Sequence, residues 1–284
     1  MMIKLGFIGL GKVGTTLALA WHQVGVSVVA VHSRHENITL AKQVNALWCA
    51  DPAEVIEKAD VIFLSVTDSA IALVTAQLYA EHANLTDKII LHCSGALTSA
   101  VLSPLSEQNA QIGSLHPALP FAEPAITLSK LEGSVFVLET SFPLVAETCQ
   151  TLCDLLGIRL AYIEASMKSL YHVALVYASN YVVTLYSIAE RILEQIQLDQ
   201  PERSQILKTL LDATVQNILQ YGATDALTGP LVRGDVNVVE AHLERLPTPT
   251  LKELYRLLAL ETFPLLIERG TDTTLLAHIL TRRS

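Results

Sequence analysis

The chain has 284 residues, 51% hydrophobic and 17% charged, enough apolar side chain to bury at least one full core and unlike a disordered polypeptide. The 19 basic residues against 28 acidic ones leave a net charge of −9, and no basic run of five or more occurs. That balance argues against nucleic acid or an anionic membrane as partner.

The opening MMIKLGFIGLGKVG has no apolar stretch of signal-peptide length ahead of its glycines, so a cytoplasmic protein is expected. IKLGFIGL reads as a first strand, followed by a helix through about Gly25, and VSVVAVHS as a second strand. DVIFLSVT ends a later strand at Asp68, a candidate helix cap. KIILHCS, QIGSLHPALPF, GSVFVLE and IRLAYIE follow. Strands separated by helices predict a parallel sheet covered on both faces, a doubly wound α/β domain over residues 1–164. Beyond that point apolar residues recur at spacings of three and four, which predicts an all-helical domain over residues 165–284. Its most apolar stretch, KSLYHVALVYASNYVVTLYSIAE, holds His172, Ser179 and Asn180 and is read as a helix of that domain, not as a membrane span. Cys49, Cys93, Cys149 and Cys153 have no metal-binding spacing and are read as reduced core thiols.

Directly after the first strand stands a G-x-G-x-x-G, with Gly9, Gly11 and Gly14 as its glycines and Lys12 and Val13 between the last two. Gly9 permits a tight turn, Gly11 lets backbone approach a pyrophosphate, and Gly14 lets the helix pack close to the strand. The helix N-terminus then offers free N–H groups to phosphate. An NAD-preferring protein usually carries an acid at the end of the second strand. Here the order is His32, Ser33, Arg34, His35, with no acid until Glu36. Arg34 can pair with a 2′-phosphate and Ser33 can donate to it, so NADP is favoured over NAD; a solvated loop arginine is the alternative.

Ligands of such sheets lie outside the carboxyl ends of the strands. That places Ser65, Val66 and Thr67, and then Ser94 and Gly95, beside the cofactor. His116 ends another strand at the same edge, either to orient a substrate carbonyl or as a structural histidine; His92, inside a strand, is read as a satisfied core residue. Lys168 and His172 are one helical turn apart, whereas Asn180 falls about 120° from Lys168 and joins them only if the helix bends. Lys168 either faces a cleft between the domains, as an acid/base beside the nicotinamide, or runs out to solvent. In ALTGPLVRGDVNVVEAHL, Arg233 and Asp235 project from a glycine- and proline-broken turn, either to bind an anionic substrate group or to pair with each other.

GFIGLGKVGTTLA, DVIFLSVTDSAI, LHCSGAL, GSLHPALPF, KSLYHVALVYASNY and LTGPLVRGD together resemble, in this order and over essentially the whole chain, a family of bacterial Rossmann-like proteins. Its members have a helical C-terminal domain of unknown function and are described as NADP-dependent or coenzyme F420-dependent oxidoreductases. The layout is similar to that of 6-phosphogluconate dehydrogenase, the β-hydroxyacid dehydrogenases and pyrroline-5-carboxylate reductase. The β-hydroxyacid dehydrogenases carry K-x-x-x-N on the helix after the cofactor domain, the lysine being the acid/base. In KSLYH the lysine, Lys168, carries over, and His172 replaces the asparagine. The glycine-rich segment that precedes that lysine in those enzymes is YIEASMK here, which argues against a simple β-hydroxyacid substrate.

These readings combine into an NADP(H)-dependent oxidoreductase acting on a small carbonyl, hydroxyl or imine compound, with Lys168 as acid/base and His116 and His172 orienting substrate. Asn180, Arg233 and Asp235 are further substrate candidates, and no metal is expected. Two alternatives stay open: a non-catalytic NADP-binding protein whose helical part regulates or dimerises, and an enzyme that uses F420. The apolar C-terminal helices favour a homodimer.

Overall fold

Short runs of valine, isoleucine, leucine and phenylalanine form the strands of the computed structural model, which describes residues 3–82 and 84–281. Its first compact unit runs to Val183 and the second starts at Thr184.

In the first unit the chain alternates β1 (Lys4–Ile8), α1 (Lys12–Gln23), β2 (Ser27–His32), α2 (Ile38–Gln43), β3 (Leu47–Trp48), α3 (Pro52–Lys58), β4 (Val61–Leu64), α4 (Asp68–Glu81) and β5 (Ile89–His92). It continues through α5 (Ser103–Glu107), β6 (Gln111–Pro117), α6 (Pro124–Leu128), β7 (Val135–Glu139), α7 (Pro143–Asp154), β8 (Arg159–Tyr162), α8 (Lys168–Leu175) and the start of α9 (Tyr181–Gln195). The strands lie in the order β3-β2-β1-β4-β5-β6-β7-β8. All seven expected strands are present; β3, two residues long, has too little pattern to be read from sequence. Caps follow side-chain chemistry: the Asn37 carboxamide accepts from Leu40 N at 3.1 Å, and the Asp51 carboxylate from Ala53 N at 2.9 Å. At α4 the cap position belongs to Thr67, and Asp68 is the first helical residue.

The sheet departs from the all-parallel expectation at one place. β7 runs antiparallel to β6, with Ser114 opposite Glu139 and His116 opposite Val137, and β8 is parallel to β7. A parallel return needs a crossover element long enough to span the sheet. The β6–β7 connection holds only the five-residue α6, which packs against α1.

Apolar side chains cover both faces of the sheet. On one, Trp21 stacks on Phe63 with ring centroids 4.8 Å apart and donates from Nε1 to Leu152 O at 2.9 Å. The other is packed by Ile62, Ile90, Leu102, Leu105 and Ile112. The unit extends beyond residue 164, where the strand pattern stops, because α8 is anchored on the sheet through Lys168 and Tyr171. The four thiols are free, and burial pushes those of Cys93 and Cys153 up to about 12, as expected for inert core cysteines.

The second unit is helical. It contains the rest of α9, then α10 (Gln200–Ala226), α11 (Pro230–Arg233), α12 (Val236–Arg245), α13 (Pro249–Glu261), α14 (Phe263–Glu268) and α15 (Thr274–Thr281). Val239, Leu243, Ala259, Leu266, Leu276 and Leu280 make its core. Among the described residues no helix is long and apolar enough to cross a membrane, and no group of three or more candidate metal ligands occurs.

Candidate functional site

β1 ends at Ile8, and Gly9, with φ of +100°, turns the chain into α1. A side chain there would be strained and would meet the Ser65 carbonyl at 2.7 Å. At Gly14 a Cβ would stand 2.2 Å from Gly9 O and 2.4 Å from Ser65 Oγ, so the first turn of α1 rests directly on the loop. The Ser65 hydroxyl, just past β4, donates to Gly9 O at 2.7 Å and ties the two strand ends together. Gly11 has nothing within 4 Å of an added Cβ and faces open space.

This loop, the end of β2 and the start of α4 enclose a groove of about 620 Å³. Of the residues expected at a cofactor, Gly9, Gly11, Ser33, Arg34, Ser65, Val66 and Thr67 line it. Lys12 opens α1 and is exposed, while Val13 and Gly14 lie behind the loop, Val13 against the core and Gly14 against Gly9. Ser33 differs from expectation: its hydroxyl donates to His35 O at 2.6 Å, so the proton meant for a phosphate is engaged in its own turn. Arg34 is exposed and makes no ion pair among the described residues.

Ser94 and Gly95 follow β5 on the same sheet edge, but they belong to a second polar set. The Ser94 hydroxyl accepts from Ala96 N and Leu97 N at 3.1 and 3.0 Å, which closes the turn. His92 is fully buried, with Nε2 3.1 Å from Thr98 O and Nδ1 accepting from Ser94 N at 3.2 Å. Both nitrogens are thus used, and burial pushes its pKa down to about 4, as befits a core histidine.

Lys168 is 1% exposed. Its Nζ donates to Ser114 Oγ, and the Ser114 hydroxyl in turn donates to Ser94 O at 3.1 Å. Opposite Ser114 in the ladder, buried Glu139 accepts from the backbone N and hydroxyl of Ser99 at 2.5 and 2.8 Å. Burial drives the lysine pKa down to about 8, against the nearby Glu139 charge, which raises it. The lysine therefore does not run to solvent; it is the cation of a buried polar cluster inside the first unit.

One turn on, the Tyr171 hydroxyl lies 2.8 Å from His116 Nδ1, with the two rings edge to face at 81°. Burial first, then the Lys168 and His172 charges, push the His116 pKa down to about 4, and burial raises that of Tyr171 to about 12. The imidazole is neutral and the phenol protonated at pH 7. An added Cβ on Gly95 would stand 2.8 Å from His116 Nε2 and 2.9 Å from His172 Nδ1, so both rings close on this glycine. His172 Nδ1 is buried without a hydrogen-bond partner.

Between α8 and α9, residues Val176–Asn180 form a π-helical turn. The extra residue in such a turn rotates the rest of the helix back by roughly one position, which brings Asn180 to within about 50° of Lys168 instead of 120°. The helix is thus irregular where Asn180 was to join Lys168 and His172, and the turn sets the exposed Asn180 back toward their face. Arg233 and Asp235 sit in the second unit, where the guanidinium Nε donates to Asp235 Oδ2 at 2.7 Å, the pairing alternative.

Tyr171, Ser114 and Glu139 were not legible as site residues. A partial signal exists for Ser114: it and His116 alternate along one strand and so share a face. Glu139 enters only through the antiparallel pairing of β7, and Tyr171 through the angle at which α8 meets the sheet.

A family model for a Rossmann-like domain matches residues 1–117, and one for a domain of unknown function, DUF2520, matches residues 134–262. Among curated proteins none matches the chain. Among solved structures it is similar to BF3122 of Bacteroides fragilis, provisionally described as an NADP oxidoreductase, at 25% identity and a TM-score of 0.74, covering 91% of this chain and 97% of that one. Protein TM1727 of Thermotoga maritima is 26% identical with a TM-score of 0.73, covering 94% and 99%. The fold also extends to the pyrroline carboxylate reductase of Plasmodium falciparum, solved with NADP bound, at 14% identity and a TM-score of 0.62 over 94% and 96%. The glycine loop and the first six strands lie within the first matched model and most of the helical region within the second, so the chain joins a Rossmann-like domain to a DUF2520 domain.

Proposed function

We propose that the protein is an NADP(H)-dependent oxidoreductase acting on a small carbonyl, hydroxyl or imine compound. The carrying observation is that His116, His172 and the buried Lys168 gather at the carboxyl ends of β5 and β6, on the same sheet edge as the glycine-lined groove. The groove fits a dinucleotide: Gly9 takes a conformation closed to other residues, Gly11 leaves backbone open to a pyrophosphate, and Arg34 offers a guanidinium to a 2′-phosphate. NADP is also the nucleotide named for the Bacteroides and Plasmodium proteins to which the chain is similar. When bound, NADPH supplies a hydride. The protein's own part is to hold the substrate heteroatom between His116 Nε2 and His172 Nδ1 over Gly95, and to place the Lys168 charge beneath the developing anion. Lys168 is shielded behind Ser114, so its contribution is electrostatic and direct proton donation falls to groups in front of it.

The test is a thermal-shift comparison of NADPH, NADH and F420, followed by NADPH consumption across a panel of carbonyls and cyclic imines. NADPH is expected to stabilise most and at least one compound to be reduced. No stabilisation by NADPH would overturn the cofactor assignment; stabilisation without consumption across the panel would favour the non-catalytic reading.

A dimer is the second part of the proposal. Along α10 only Leu207 is buried, while Leu210, Leu211, Val215, Ile218 and Leu219 are exposed at helical spacing, Leu219 at 76%. Such a stripe on a helix with a single buried residue is the surface a second copy of the chain would cover. Light scattering should give twice the chain mass, and Leu210→Lys with Leu219→Lys should return it to one.

A further inference from the structure

The oxidoreductase reading needs a proton at the substrate heteroatom, and the buried lysine is poorly placed to provide it. From Lys168 the hydrogen bonds run to Ser114 and end on the Ser94 carbonyl, which accepts a proton but passes none on. His92 has both nitrogens committed to backbone. The Tyr171–His116 pair differs. Both residues are partly exposed, and among the described residues the phenol's hydrogen-bond partner is His116 Nδ1. A protonated phenol has a hydrogen to give that nitrogen, and when it gives it the ring proton stands on Nε2, the nitrogen that closes on Gly95 beside His172.

Taking the site as that of an oxidoreductase, we propose that Tyr171 is its proton reservoir, fixing His116 as the Nε2–H tautomer and refilling Nδ1 as Nε2 gives its proton to the substrate. In the reducing direction the substrate carbon gains hydride from NADPH, and the C=O or C=N electron pair moves to the heteroatom. That pair takes the Nε2 proton; the Tyr171 O–H bond breaks and an Nδ1–H bond forms. The imidazole is neutral before and after; Nε2 then takes a proton from water while Nδ1 returns its own to the phenolate, which restores the starting tautomer. Titratable groups facing His116 are Lys168 and His172 on α8 and Asp68 on α4; the lysine ammonium, like any positive charge at His172, opposes imidazolium, and Asp68 favours it. Lys168 thus positions the protonation state of His116, while Tyr171 acts through that ring.

The experiment is a long-range 1H–15N spectrum of the imidazoles in the full-length 15N-labelled protein, with NADPH present and absent, His116 being assigned by its loss in His116→Gln. The wild-type signal should be that of an Nε2–H tautomer that does not titrate between about pH 5.5 and 8. Tyr171→Phe, which keeps the ring and its edge contact, should give a mixture of tautomers. An Nδ1–H signal in the wild type, or an unchanged spectrum in Tyr171→Phe, overturns the proposal. For any compound reduced in the panel, Tyr171→Phe should lower kcat by about 100-fold with KM and the NADPH Kd unchanged. An unchanged kcat overturns it equally. Failure of NADPH to bind would remove the NADPH assignment on which the proton step rests, yet leave the tautomer measurement to decide by itself whether the phenol sets the ring.

Discussion

Two polar regions sit side by side on one edge of the sheet, and they are built in opposite ways. The groove at β1, β2 and β4 is made of backbone: glycines at Gly9 and Gly11, a hydroxyl latch from Ser65, and an arginine at the rim. The cluster at β5, β6, β7 and α8 is made of side chains: Lys168, Ser114, Glu139 and His92, all buried, and the half-buried His116 with Tyr171. An exposed region of the first kind can be altered without loosening the fold. A buried one of the second kind holds the fold together, because each member removed leaves another unpaired in a medium of low polarity.

The sharpest contrast comes from charge removal in each region. Lys168→Met leaves the buried Glu139 carboxylate without its nearby cation and should cost about 3–5 kcal/mol of unfolding free energy, read by urea denaturation. Arg34→Ala, on an exposed rim, should stay within about 0.5 kcal/mol in the same assay. Equal losses in the two variants would erase the distinction.

Ligand binding should reverse the ranking. On the proposed assignment Arg34→Ala would remove a charge-assisted bond to a 2′-phosphate worth about 1.5–3 kcal/mol, so calorimetry should show the NADPH Kd rising about 10–100-fold with that of NADH little changed. Parallel losses for both nucleotides would remove the 2′-phosphate assignment.

Gly95→Ala sharpens the steric side of the comparison. Its Cβ would press on His116 Nε2 at 2.8 Å and His172 Nδ1 at 2.9 Å, two rings held by packing. A cost of about 1–3 kcal/mol is expected, with the imidazole signals of both residues displaced. The same change at Gly11, which meets nothing within 4 Å, should cost less than that and act on NADPH affinity instead.

The smallest effect, counted per ring and per pH unit, is a pH slope. His92 and His116 have pKa values of about 4 in the folded chain against 6.5 as the ordinary value. Between those values the unfolded state binds more protons, so stability is full above about pH 6.5 and falls toward pH 4, by about 1.4 kcal/mol per pH unit for each ring. Denaturation midpoints across that range should show the slope, and His92→Gln should reduce it by one ring's share. A flat profile would mean that the two imidazoles are more open to water than the packing indicates.

Legibility from the residues tracks the same division. The glycine spacing after an apolar strand specified the turn, the helix start and the loop's closeness to β4. Arg34 stood out because an acid was missing where one is usual. The second region could be read only in pieces. Lys168 and His172 shared a face by helical period, but whether the ammonium met water or protein depended on a sheet more than fifty residues upstream, since Ser114 is 54 positions away. The reversed β7 put Glu139 opposite Ser114, and a π turn moved Asn180; neither leaves a mark in hydrophobic periodicity.

By itself, then, the sequence determined the strand and helix pattern and the phosphate-type loop, since both depend on local sterics: backbone torsions that only glycine tolerates and the alternation of apolar side chains. The tertiary structure alone decided which polar groups would be dry, which would pair and in what protonation state. Those outcomes depend on solvent exclusion by elements distant along the chain, and no short stretch of residues encodes it.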